Sequence, residues 1–188
     1  MWIARLHFSC KAFTYFKTAS DIAPKAFEGN NALVTVHMED SVKKIGERAF
    51  SGCGGLNFIT WSANLHEIGA YAFSGCTKLN AITMTAADEM TIGTGAFSSC
   101  DKLKTVSLPE GLVKIGEKAF ADCKELETLV LPVSLKEMDY GMLQNTLKLR
   151  TIGYRGTEQD WWKADFKKMS GWNINAGKAY PTKFKYQD

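Results

Sequence analysis

The chain has 188 residues and a mass of 20.9 kDa, with 45% hydrophobic and 23% charged residues. That balance excludes a disordered tail, a collagen-like rod and a disulfide-dense miniprotein. Its 23 Lys plus Arg against 20 Asp plus Glu leave +3, too slight a charge to imply a nucleic-acid binder or a polybasic membrane binder. No run of about 18 apolar residues could span a bilayer. Residues 1–16 are interrupted by Arg5, His7 and Lys11 where a secretory signal needs an unbroken apolar stretch, so no signal peptide is expected in this chain.

Residues 1–21 read as an N-terminal partial repeat or cap. Phe13 and Tyr15 precede Ile22 by the offsets at which Val106 and Leu108 precede Ile115, so they are expected to form the last strand of a further unit. Two readings stay open: an improvised cap, or a piece of a longer array in a longer parent chain. An uncovered parallel edge would invite self-association.

From residue 22 to residue 154 the chain repeats. Ala-Phe-x-x-Cys stands at Ala49-Phe50 with Cys53, Ala72-Phe73 with Cys76, Ala96-Phe97 with Cys100 and Ala119-Phe120 with Cys123. The phenylalanine column runs Phe27, Phe50, Phe73, Phe97, Phe120 and then Leu143, in steps of 23, 23, 24, 23 and 23 residues. A fixed period of this length marks a solenoid, because one such unit cannot bury its own apolar side and must stack on its neighbours. Within a unit, Thr105 to Leu108 alternates apolar and polar and predicts a short strand with Val106 and Leu108 inward. Pro109 then ends the ladder. Gly46, Gly69, Gly93 and Gly116 recur where a tight change of direction or a close backbone approach is required. Stretches such as Glu117 to Asp122 are good helix formers, long enough for one turn. The expected fold is a right-handed solenoid of parallel β-strands and short helical turns, about six 23-residue repeats and a C-terminal cap.

On these residues the chain resembles the BspA-like leucine-rich repeat family, whose units are similar to Leu103–Pro109 followed by Glu110–Cys123. Tyr154 to Trp161 is similar to the Gly-Thr-x-x-x-Trp segment that closes such arrays. The resemblance implies a leucine-rich-repeat solenoid, a non-catalytic protein-binding module of a bacterial surface protein of adhesin type, with an extracellular host or matrix protein as partner. It also implies an extracellular or cell-surface location. Two alternatives stand beside it: a structural spacer or self-assembly segment of a longer surface protein, and a glycan-binding module at the Trp-rich end.

Residues 155–188 leave the period and read as a C-terminal cap. Thr157 and Asp160 fit a capping box at a helix start. Trp162, Phe166 and Met169 follow at helical spacing and are expected to lay one apolar stripe over the last repeat. This segment holds seven basic and four acidic residues and so accounts for the whole net charge.

No constellation for chemistry emerges. Cys53, Cys76, Cys100 and Cys123 share one slot of successive turns, which spreads their sulfurs along a line and suits buried reduced thiols better than a tetrahedral zinc site. His7, His37 and His66 show no ligand spacing, and no nucleophile elbow or phosphate loop occurs. No catalytic residue, metal or cofactor is therefore expected, nor membrane insertion. The outward strand positions form two columns, Thr35, Phe58, Ala81, Thr105, Thr128, Thr151 and His37, Thr60, Thr83, Ser107, Val130, Gly153. They are uncharged and rich in hydroxyls, which suits any exposed sheet face and also a groove for a protein partner. The candidate partner-binding residues are His37, Phe58, Thr60, Thr83, Thr105, Ser107 and Thr128, with Phe58 and His37 as anchors.

Overall fold

The structure, a computed structural model, describes residues 13–84, 88–139, 141–164 and 183–184. In chain order the strands are β1 Phe13–Phe16, β2 Asp21–Ile22, β3 Thr35–Met38, β4 Lys44–Ile45, β5 Phe58–Thr60, β6 Glu67–Ile68 and β7 Ala81–Thr83. They continue with β8 Met90–Ile92, β9 Thr105–Ser107, β10 Leu112–Ile115, β11 Thr128–Leu131, β12 Glu137–Met138 and β13 Thr151–Tyr154, then helix α1 Glu158–Lys163 and β14 Lys183–Phe184. Every strand pair is parallel. Even-numbered strands β2 to β12 form one continuous ladder in chain order. Odd-numbered strands form the other side of the solenoid, in two pieces: β1-β3-β5, and β7-β9-β11-β13 with β14 added at its end.

The phenylalanine column is the axis of the core. Phe27, Phe50, Phe73, Phe97 and Phe120 stack ring on ring, with centroids 5.2, 5.0, 5.2 and 5.4 Å apart and planes within 9° of parallel. Phe50, Phe73, Phe97 and Phe120 are fully buried. Stacking follows from the period itself, since the same side chain leaves each turn at the same point and parallel turns repeat at strand spacing.

The cysteines fill the adjoining slot for a reason beyond size. Each thiol donates to the carbonyl of a phenylalanine in the preceding turn: Cys53 to Phe27 O at 3.1 Å, Cys76 to Phe50 O and Cys100 to Phe73 O at 3.3 Å, Cys123 to Phe97 O at 3.2 Å. In the last unit Thr146 takes the slot and its hydroxyl donates to Leu143 O of its own turn at 2.8 Å.

The expected helical turn between the two strands of a unit does not form. In Arg48–Cys53 the amides alternate: Arg48, Phe50 and Gly52 donate across to Ala70, Ala72 and Ser74, while Ala49, Ser51 and Cys53 donate three residues back. A helix would spend all of these within the turn; here half of them tie one turn to the next. Two left-handed residues per unit impose the pattern, one at Lys25, Arg48, Tyr71, Gly95, Lys118 and Gly141, the other at Gly29, Gly52, Gly75, Ser99, Asp122 and Asn145. Good helix propensity yields to stacking.

The glycine column has a different cause. A Cβ on Gly69 would stand 2.7 Å from Glu47 N and 2.9 Å from Ile45 O, so the turns approach too closely there for any side chain.

The first strand departs from its expected register by one residue. β1 lies alongside β3 with Phe13 opposite Thr35 and Tyr15 opposite His37, whereas the sequence offsets would place Phe13 and Tyr15 opposite Val36 and Met38. A shift of one residue exchanges the two faces of a strand. The inward place opposite Met38 goes to Phe16, which is buried and packs edge-on against Phe27 and Phe50 at 5.7 and 6.4 Å.

Candidate functional site

The strand face carries the candidate residues, and the ladder register aligns them as the period requires. His37 pairs with Thr60 and Thr35 with Phe58 on one piece of the face. Thr83 pairs with Ser107, and Thr105 with Thr128, on the other. Phe58 is 60% exposed, an unusual state in a chain whose stacked phenylalanines Phe50, Phe73, Phe97 and Phe120 are buried. His37 is half-buried, and its Nε2 lies 3.5 Å from Glu39 Oε1.

The face is not one smooth ladder, because β5 and β7 exchange no strand pairing. Between them lies an open groove of about 390 Å³ with no charged side chain in its lining, which includes Asn57, Phe58, Trp61, Asn80 and Thr83. Trp61 lies at the opening. It stands one residue beyond β5, in the inward slot that Met38, Met84, Leu108 and Leu131 fill in other units. Its indole packs edge-on against Phe73 at 5.4 Å and Phe97 at 6.2 Å, so one ring spans two turns of the core and stays only partly buried. Met and Leu have no ring to pack in this way, and the interval beside Trp61 is the unpaired one.

The other end of the face is closed. Val130 and Gly153, expected to face outward, are buried. Arg155, just beyond β13, sends Nη2 back to donate to Ser107 Oγ on β9 at 2.9 Å, across the intervening strand β11 whose Val130 is in register with Ser107. Gly153, lacking a side chain, leaves room beside it. The Nε of Arg155 is buried and meets no acceptor among the described residues. Of the seven candidate residues, Ser107 is thus engaged by the chain itself, while Phe58, Thr83 and Thr105 are exposed.

The cap helix buries a different tryptophan from the one expected. Thr157 and Asp160 form the capping box: Thr157 Oγ1 accepts from Asp160 N at 3.1 Å, and Asp160 Oδ2 accepts from Thr157 N at 2.9 Å. Trp161 is then turned inward, 3% exposed, its ring edge-on to buried Tyr154 at 5.2 Å, and Trp162 is 48% exposed. The box sets the helix phase, and the last inward ring, Tyr154, meets position 161. Phe166 and Met169 of the expected stripe, the Trp172 position and Cys10 lie outside the described residues.

The groove offers neutral hydrogen-bonding groups and aromatic surface, with no charged side chain in its lining. Burial pushes the Cys53 thiol up to about 11 and the Cys123 thiol up to about 12, and raises Cys76 and Cys100 likewise. Such thiols are poor nucleophiles and poor metal ligands. Among the described residues no three His, Cys, Asp or Glu side chains converge, and no helix is long and apolar enough to cross a membrane.

Comparison with known proteins agrees with this architecture. The BspA type leucine rich repeat region matches residues 6–90 and 55–171, in six copies. The chain belongs to that family. A leucine-rich repeat protein of T. pallidum is similar over 76% of this chain and 69% of its own length, at 34% identity and a TM-score of 0.71. A leucine-rich cell-surface protein of Faecalibacterium prausnitzii matches 87% of this chain at 25% identity and a TM-score of 0.61, the match spanning 36% of that protein. A pneumococcal vaccine antigen shares the fold over 86% of this chain and 40% of its own, with a TM-score of 0.67 at 16% identity. Comparison with curated proteins gave no match. This leucine-rich repeat chain therefore has bacterial surface leucine-rich repeat proteins among its structural neighbours, within a family of generally non-catalytic repeat proteins.

Proposed function

We propose that this chain is a non-catalytic protein-binding module of a bacterial surface protein, its array at residues 22–154 presenting the strand face and its segment 155–188 closing the array. The observation that carries this reading is the state of that face. Two runs of paired strands hold an uncharged surface, Arg155 and Val130 close one end, and Phe58 stands exposed at the unpaired interval between the runs. Exposed aromatic groups on a rigid scaffold are the usual anchors of protein recognition. The partner is an extracellular protein of a host or its matrix, which fits the cell-surface description of the Faecalibacterium relative.

Surface plasmon resonance against a panel of immobilised extracellular matrix proteins tests the proposal. The wild type is expected to bind at least one of them, and Phe58→Ala and Thr105→Lys to weaken that binding with unchanged circular dichroism. Binding that ignores both substitutions would remove the strand face from the reading.

A further inference from the structure

Among the described residues, strand pairing along the face is interrupted between β5 and β7. In the position before β5, β9, β11 and β13, Asn57 N–H donates to Val34 O, Lys104 N–H to Asn80 O, Glu127 N–H to Lys104 O and Arg150 N–H to Glu127 O. The corresponding bond from Asn80 N–H to Asn57 O is missing among the described residues, and only the side-chain amides meet, Asn80 Nδ2 donating to Asn57 Oδ1 at 3.3 Å. In the position after β7 and after β9, Met84 N–H donates to Ser107 O and Leu108 N–H to Val130 O. Trp61 N–H makes no such bond to Thr83 O. Among the described residues the opening thus leaves Trp61 N–H and Asn80 N–H as donors in its lining, and Asn57 O and Thr83 O as acceptors.

The split is confined to this face. On the other side β4, β6 and β8 stay paired, and in the turns Arg48 to Ala70, Phe50 to Ala72 and Phe73 to Ala96 remain bonded. The rest of the solenoid therefore holds the two strand edges in fixed positions, with Trp61 at the opening. Unpaired strand edges select one ligand chemistry above others: a backbone that offers alternating N–H and C=O groups at strand spacing. The absence of charge in the lining selects neutral side chains, and the faces of Phe58 and Trp61 offer an apolar contact. A groove of about 390 Å³ lies at the small end of ligand sites, which span roughly 300–1,000 Å³, and suits a few residues of chain.

We propose that the opening between β5 and β7 is a docking slot for a short, uncharged, extended peptide segment, held by main-chain hydrogen bonds with an apolar side chain against Phe58 and Trp61. The proposal deepens the protein-binding reading of the strand face and rests on it. It makes Trp61 the determinant of the site: the indole holds open a ladder that leucine would close.

The test uses the full chain and a blocked peptide of alternating threonine and leucine, beside the same peptide N-methylated at alternate amides, with a neutral oligosaccharide, cellohexaose, in parallel. Amide shifts by NMR are expected at Trp61, Asn80 and Thr83 with the first peptide, and N-methylation should weaken binding by about tenfold or more, the equivalent of one or two hydrogen bonds lost. Trp61→Leu places the residue of positions 108 and 131 in the slot and preserves the fold. It is expected to slow hydrogen exchange at residue 61 and Asn80 and to abolish peptide binding, while Phe58→Ala weakens binding without slowing exchange. No peptide shifts at millimolar concentration, equal binding of the N-methylated peptide, binding of the oligosaccharide alone, or unaltered exchange in Trp61→Leu would each overturn the slot. Loss of the slot with Thr105-dependent matrix binding intact would leave the broader protein-binding reading standing, so the two failures are distinguishable.

Discussion

At the scale of single residues, this protein is stabilised by side chains that meet copies of themselves. A ring in the middle of the phenylalanine stack loses contacts on both faces when truncated, and the packed turns cannot close around the void. Phe73→Ala is expected to cost about 3–5 kcal/mol, read from urea denaturation. The thiol column has a pH signature. Burial raises the folded thiols from 9.0 to about 11 at Cys53 and about 12 at Cys123. Their contribution is whole below pH 9 and is lost as pH rises through the folded values, because the unfolded state gives up its protons first. The urea midpoint should therefore fall between pH 9 and 11, and alanine at Cys53 and Cys123 should flatten that fall. Backbone conformation offers a third test. Ser99 holds the left-handed place that Gly52 and Gly75 hold elsewhere, so Ser99→Gly is expected to stabilise by up to about 1 kcal/mol in thermal melts.

Among the elements, the short strands draw on neighbours more than on their own length. The even ladder aligns Asp21, Lys44 and Glu67, and further along Lys114 and Glu137, so opposite charges alternate across turns. Lys44 Nζ lies 2.8 Å from Glu67, and that hydrogen bond raises the lysine above its ordinary value. These pairs are exposed, and their value lies in register more than in stability. Helix α1 depends on its start, since six residues are too few to sustain a helix without help. Thr157→Ala should cost the helix about 1 kcal/mol, seen as faster hydrogen exchange at Trp161 and Ala164 with the repeats unaffected. The segments between strands show how far sequence reading goes at this scale. Gly52, Gly75 and Asn145 mark one left-handed position, but Lys25, Arg48, Tyr71 and Lys118 occupy the other, and nothing in those residue types announces it. The bonds that impose it run to the next turn, which local propensity does not see.

Over the whole molecule, the backbone ladders join each turn to the turns before and after it, and Arg155 adds a bond two turns back to Ser107, so stability is close to a sum of unit and neighbour terms. Leu143→Ala, in the last described turn of the column, should therefore lower hydrogen-exchange protection around β12 and β13 while leaving β4 and β6 protected; the same loss at Phe73 should reach both sides. The candidate face was legible in the sequence as two columns because a strict period aligns equivalent residues, and Thr105, Thr128 and Thr151 stand side by side as the spacing requires. Its break and its closed end were not. Trp61 was the available signal, a wide ring in a slot of Met and Leu, yet its contacts with Phe73 and Phe97, beside the unpaired interval, form only once the turns have stacked. Arg155 reaches Ser107 across 48 residues of chain, a contact no periodicity encodes because it joins a residue beyond the period to one within it. The sequence alone determined the period, the inward columns and the family, since each follows from one unit being forced to stack on its copies. The tertiary structure alone decided which strands pair, which turn residues go left-handed and how much of the face stays open, because these depend on atoms that meet only after the turns have stacked.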